Sequence, residues 1–207
     1  MMYRVLLACT LAYLCGCAGP SLDIQHLQLS AGNVSLPRGE SPVVVINAID
    51  LPDYLLRDDL VLRESDVTLR YDSSRRWAEP LDLGIQRVLG RRLQAALDTQ
   101  RVILFPQEPS TPADWQLQVT IRRFEVIGTR VELAAEARWE HRSGGEAIIE
   151  SVVFEDALPL GSSTGQDIAK TMSELLWRFS QELVAAISPR LASSQNASSE
   201  SASNGVS

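Results

Sequence analysis

The chain has 207 residues, 45% apolar and 22% charged, with 26 acidic against 19 basic side chains. That length and composition allow one domain with a real core, and the acidic balance argues against non-specific nucleic-acid binding and against adhesion of the bare surface to anionic lipid. All three cysteines fall within the first seventeen residues, and His26 and His141 lack ligand spacing, so the rest of the chain has neither a disulfide framework nor a Cys/His metal site.

Arg4 gives a charged start and Val5 to Leu14 an apolar run too short to span a bilayer, so residues 1–16 read as a secretory signal. Leu14-Cys15-Gly16-Cys17 then resembles the bacterial lipobox, whose last cysteine is acylated and becomes the mature first residue. A thiolate is the nucleophile that thioether formation needs. Residues 17–22 are the lipidated cysteine and a brief tether. The folded domain is expected over 23–188.

Within it, Asp23 to Leu29 reads as a short strand, and Ser30 to Pro42 carries loop chemistry in Gly32, Asn33, Pro37, Gly39 and Pro42. Val43 to Ile46 is β-branched throughout and reads as a buried central strand. Leu51 to Leu55 is a turn. Leu60–Arg63 and Val67–Tyr71 are strands joined through Glu64-Ser65-Asp66. Arg76-Trp77-Ala78-Glu79-Pro80-Leu81 opens a helix over about 79–98. Pro80 suits the first helical position, Glu79 and Asp82 suit the positive end of the dipole, and Leu81, Ile85, Val88, Leu89, Leu93, Ala96 and Leu97 form one apolar stripe. Starting a helix does not require Arg75, Arg76 or Trp77. Trp77 therefore reads first as a packing anchor and second as part of a contact surface.

Val102–Phe105 is a strand closed by Pro106. Trp115–Arg122 and Val131–Trp139 alternate apolar with polar and read as strands wet on one face. Gly144-Gly145 joins the second to Ala147–Phe154 as a hairpin. A last amphipathic helix runs from Thr164 to Ile187, with Ile168, Met172, Leu175, Phe179, Leu183 and Ile187 on one face. Residues 189–207, rich in Ser and Asn, read as a disordered tail. The sum is an α+β, two-layer sandwich: a mostly antiparallel sheet covered on one face by two amphipathic helices.

Gly161-Ser162-Ser163-Thr164-Gly165 matches G-x-S-x-G, but no histidine follows Ser163 to serve as its base. The run reads instead as a loop whose Ser or Thr caps the last helix. Asp58-Asp59 lacks the ordered spacing of a calcium loop and reads as a solvated acidic edge. No catalytic residue, metal or cofactor is expected.

Three segments carry a family resemblance. Leu14-Cys15-Gly16-Cys17, then Pro52-Asp53-Tyr54-Leu55-Leu56-Arg57 with Leu60-Val61, then Arg76-Trp77-Ala78-Glu79-Pro80-Leu81 with Arg87-Val88-Leu89, resemble the PqiC-type (YmbA-type) auxiliary lipoproteins. The chain departs from that pattern at Leu56 and Asp58, where the family more often shows Asp and Pro. These lipoproteins accompany MCE (mammalian cell entry) transport systems of Gram-negative bacteria. The resemblance implies a non-catalytic, periplasmic subunit that helps an MCE-domain protein and its membrane complex move phospholipid and maintain the envelope. It implies acylation at Cys17 and, because Ala18 rather than Asp follows, the outer membrane. Tyr54, Arg57, Arg76 and Trp77 are the expected partner-binding residues. Two alternatives stay open, an outer-membrane assembly lipoprotein with another partner and a periplasmic lipid carrier, as does self-association.

Overall fold

Strand β6 (Trp115–Ile127) is the axis of the sheet in the computed structural model, which describes residues 23–143 and 146–203. The signal, the lipobox, the tether and Gly144-Gly145 lie outside the described residues. One edge of β6 pairs antiparallel with β7 (Arg130–Ser143), which pairs in turn with β8 (Glu146–Pro159). Its other edge is divided. The N-terminal part takes β2 (Val44–Ile46) in parallel, followed by β5 (Val102–Leu104), while the C-terminal end takes β3 through Leu62–Val126 and Arg63–Ile127. Strands β3 (Asp59–Ser65) and β4 (Thr68–Trp77) form a hairpin, and β1 (Gln25–Leu27) adds in parallel to β4.

The fold is α+β, with helices α1 (Leu81–Ala96) and α2 (Gly165–Ser203) and one mixed sheet. A single antiparallel meander accounts only for β6–β7–β8 and the β3–β4 hairpin. The long ladders are antiparallel, but the joins between them are parallel, each pairing strands that a long stretch of chain separates. Alternation along β6 and β7 sends Val119, Ile121, Phe124, Val131, Leu133 and Ala135 to the buried face. The helical stripes there contribute Ile85, Leu89, Leu93, Leu175, Phe179 and Leu183, all fully buried.

Four boundaries move. Strand β6 continues past Arg122 to Ile127 because a bulge between Ile121 and Arg123 shifts its alternation by one residue and breaks the period-two signal. Arg75, Arg76 and Trp77 end strand β4 rather than leading into the helix, since ladders to both β3 and β1 override the weak strand preference of Asp72-Ser73-Ser74. Pro80 is the residue just before the first helical turn, its ψ of 135° placing it outside the helix. The tail read as disordered from 189 is instead helical as far as Ser203, although Pro189 lies inside the helix. Once the buried turns have met the cost of nucleation, Ala-, Ser- and Glu-containing sequence can extend a helix.

The start of α1 is tied to the strand layer by charge. The Glu79 carboxylate accepts from Arg87 Nε at 3.2 Å and from Gln28 Nε2 at 3.3 Å, and Arg87 Nη2 donates to the Leu29 carbonyl at 2.8 Å. Hydrogen bonding from Arg87 outweighs burial and holds the Glu79 pKa below its ordinary 4.5. A depressed carboxylate stabilises the fold above its ordinary pKa and loses that contribution as pH falls through the lowered value. Arg87→Ala should therefore cost on the order of 1 kcal/mol at neutral pH. The gap from the parent should close in acid below 4.5, as read by denaturant melts across pH.

Candidate functional site

On the sheet face away from the helices, one buried carboxylate stands out. Glu125 alternates with core residues Phe124 and Val126, so its side chain emerges on the opposite face, yet it is fully buried there. Arg63, placed beside it by the β3–β6 pairing, reaches it with Nε at 2.5 Å from Oε1 and Nη2 at 3.3 Å from Oε2. This two-pronged geometry suits guanidinium and carboxylate. The pairing with Glu125 raises the Arg63 pKa above its already high ordinary value.

The lid over this pair is the segment carrying the 3-10 turn Asp53–Leu55. Leu55 is fully buried, and Tyr54 lies with its ring centroid 5.8 Å from the Arg63 guanidinium. Burial, then the charge of Glu125, push the Tyr54 hydroxyl above its ordinary pKa, so it stays neutral and can donate. Arg57, two residues past the turn, lies 4.7 Å from the ring centroid of Tyr71 on β4. Arg76 and Asp59 approach to 3.0 Å across the hairpin as an ion pair not aligned for a hydrogen bond.

From the buried pair the charges continue across the sheet. Arg123 lies 3.8 Å from Glu125 and 2.7 Å from Glu132, and Arg130 lies 2.6 Å from Glu132. Glu125 and Glu132 are directly opposed on β6 and β7, a repulsive pairing that the arginines offset. The arrangement is a platform of compensated charge with an exposed cation, Arg57, at its rim. It is built of carboxylates and guanidiniums with the Tyr54 ring beside them.

Of the four expected contact residues, Tyr54, Arg57 and Arg76 are brought together around this turn and hairpin. Trp77 is 6% exposed and belongs to the core, which leaves it the packing role. Arg63 and Glu125 were missed in the sequence because they lie 62 positions apart and each looks like an ordinary strand polar residue. The one available signal was Glu125 between Phe124 and Val126, a charge inside an apolar run.

The G-x-S-x-G run is a capping loop. Thr164 Oγ1 accepts from the Asp167 N–H at 3.3 Å, and the Ser163 carbonyl accepts from Arg75 Nη1 at 2.6 Å. A Cβ at Gly165 would stand 2.3 Å from Gln25 Oε1 and 2.9 Å from Leu27 Cδ2, so both side-chain ends would have to move aside.

The described residues thus form a two-layer domain with a platform of compensated charge and a short turn on one sheet face. Residues 26–184 match the family of ABC-type transport auxiliary lipoprotein components, and the chain belongs to that family. Its fold is similar to the crystal structure of an uncharacterized protein, at 20% identity and TM-score 0.63 over 79% of this chain and 98% of that one. It is also similar to XCC0632 from Xanthomonas campestris, at 18% identity and TM-score 0.60 over 85% of this chain and 99% of the other. At these identities the likeness concerns the fold alone. No curated protein matches the chain.

Proposed function

We propose that the protein is a non-catalytic subunit of an MCE-type system that moves phospholipid between membranes. It is acylated on Cys17 and held at the periplasmic face of the outer membrane, and it meets the periplasm-spanning MCE protein through Tyr54, Arg57 and Arg76. The observation that carries this reading is the family match over 26–184, downstream of Leu14-Cys15-Gly16-Cys17. Ala18 after the cysteine supports the outer rather than the inner membrane. Asp23 is only six positions beyond Cys17, so at about 3.3–3.6 Å per residue the domain stays within roughly 22 Å of its anchor. An inner-membrane partner must then reach across to it.

Arg57 gives the cleanest test, because it is exposed and its contact is with the Tyr71 ring rather than a buried carboxylate. Arg57→Glu should lower co-purification of the MCE protein on the order of tenfold, as for an interface arginine, with unchanged thermal unfolding. Cys17→Ala should abolish stable membrane attachment, and Ala18→Asp should move the protein to inner-membrane fractions. Wild-type co-purification by both Arg57→Glu and Arg76→Glu would sink the partner surface. Inner-membrane fractionation of the parent would sink the location.

A further inference from the structure

Arg92 lies on α1 beside the fully buried Leu93, and its Nε is buried without a hydrogen-bond partner. Among the described residues it forms no ion pair; Glu174 acts on it only at longer range and instead approaches Arg178 at 3.6 Å. A half-buried guanidinium left in this state is costly unless something anionic reaches it.

Two clefts meet at this side chain. One, of about 500 Å³, lies between the segment from Gln25 to Ser30 and the first turns of α2, and it carries Lys170 and Glu174. Lys170 is the chain's only lysine, and it is exposed. The other, of about 610 Å³, runs between α1 and α2; Val34, Ala95, Ala96, Trp177 and Val184 form its apolar wall, and Ser180, Gln181 and Glu182 a polar one. Arg92 lines both. The result is a groove whose mouth carries Arg92 and Lys170 beside Glu174 and which continues into a trough with one apolar wall, each part within the size range of a ligand site.

We infer that this groove takes a phosphate-headed membrane lipid, with the phosphate between Arg92 and Lys170 and an acyl chain along Ala95, Ala96 and Trp177. Guanidinium matches phosphate through paired N–H donors, and an ammonium adds a point charge. Glu174 at the same mouth disfavours a multiply anionic head and suits one bearing an amine beyond its phosphate. The apolar wall of Val34, Ala95, Ala96 and Trp177 that adjoins the cations offers free phosphate nothing to bind. The groove begins at Gln25, eight positions from Cys17 and so within about 30 Å of the anchor at 3.3–3.6 Å per residue. The lipid source, though not the binding itself, rests on the membrane-anchored reading above.

The test installs the photo-crosslinking residue p-benzoylphenylalanine at Ala95 of the full chain in Gram-negative cells grown on radioactive phosphate. The benzophenone inserts into C–H bonds, so it captures an acyl chain but not free phosphate, and the glyceride on an acylated cysteine carries no phosphorus. A labelled adduct identified as a glycerophospholipid is expected at Ala95, and none from the same residue placed at Val153 on the other sheet face. Arg92→Gln should lower its yield about tenfold or more, the effect of losing a charge-assisted contact. Lys170→Gln, at an exposed position where folding is not at issue, should lower it too. No label at Ala95, label indifferent to both substitutions, or an adduct with protein would overturn the inference. So would an Arg92-dependent rise in melting temperature with inorganic phosphate and no lipid adduct. Because the adduct needs no partner protein, its loss is distinguishable from failure of MCE docking.

Discussion

Arg63→Ala should destabilise the domain by about 3–5 kcal/mol, because it leaves Glu125 buried and charged without its partner. The carboxylate is fully buried, and the other nearby cation, Arg123, stands 3.8 Å away and is half exposed. For a domain of this size that corresponds to a fall in melting temperature of roughly 6–20 °C. Replacing both members with apolar side chains of similar volume, Arg63→Met with Glu125→Leu, should recover most of the loss, since the burial penalty then disappears with the charges. A single substitution as damaging as the double one would mean that packing, not charge, holds the site. Tyr54 provides an independent reading. With Glu125 neutralised as Glu125→Gln, one cause of its raised pKa is removed, and its ultraviolet titration should move back toward the ordinary 10.0.

Trp77→Ala should lower stability by about 3–5 kcal/mol, the range for emptying a buried large aromatic site. Trp77 closes strand β4 where three elements converge. Its N–H donates to the Asp58 carbonyl at 2.7 Å, it pairs with Leu27 of β1, and the following Ala78 N–H donates to the Leu27 carbonyl at 2.7 Å. The loss should appear in chemical denaturation, with partner binding falling only in proportion to the unfolded fraction. Unchanged unfolding with partner binding lost would reverse the assignment and make Trp77 a contact residue.

The Arg76-Trp77-Ala78-Glu79-Pro80-Leu81 run owes most of its chemistry to architecture. Trp77 fills the core, Glu79 receives Arg87 and Gln28, and Pro80 releases the chain into α1. Arg76 alone faces the hairpin surface, paired with Asp59. Residue type and spacing announced that the run mattered. They could not divide it between folding and contact, because that division depends on which side chains the strand ends inside.

What the sequence determined by itself is local. The stripes of α1 and α2, the alternation of β6 and β7 and the existence of the β3–β4 hairpin follow from periodicity and turn chemistry, which need no knowledge of neighbours; the turn itself falls at Asp66-Val67 rather than at Glu64-Ser65-Asp66. These were enough for the α+β class and for the two helices on one face. Only the tertiary structure decided the divided edge of β6, the parallel joins through β1, β2 and β3, the continuation of β6 past its bulge, and the meeting of Arg63 with Glu125. Strand order and cross-sheet ion pairs are set by contacts between residues far apart in the chain. Such contacts leave no period behind, because each depends on a neighbour that only folding supplies.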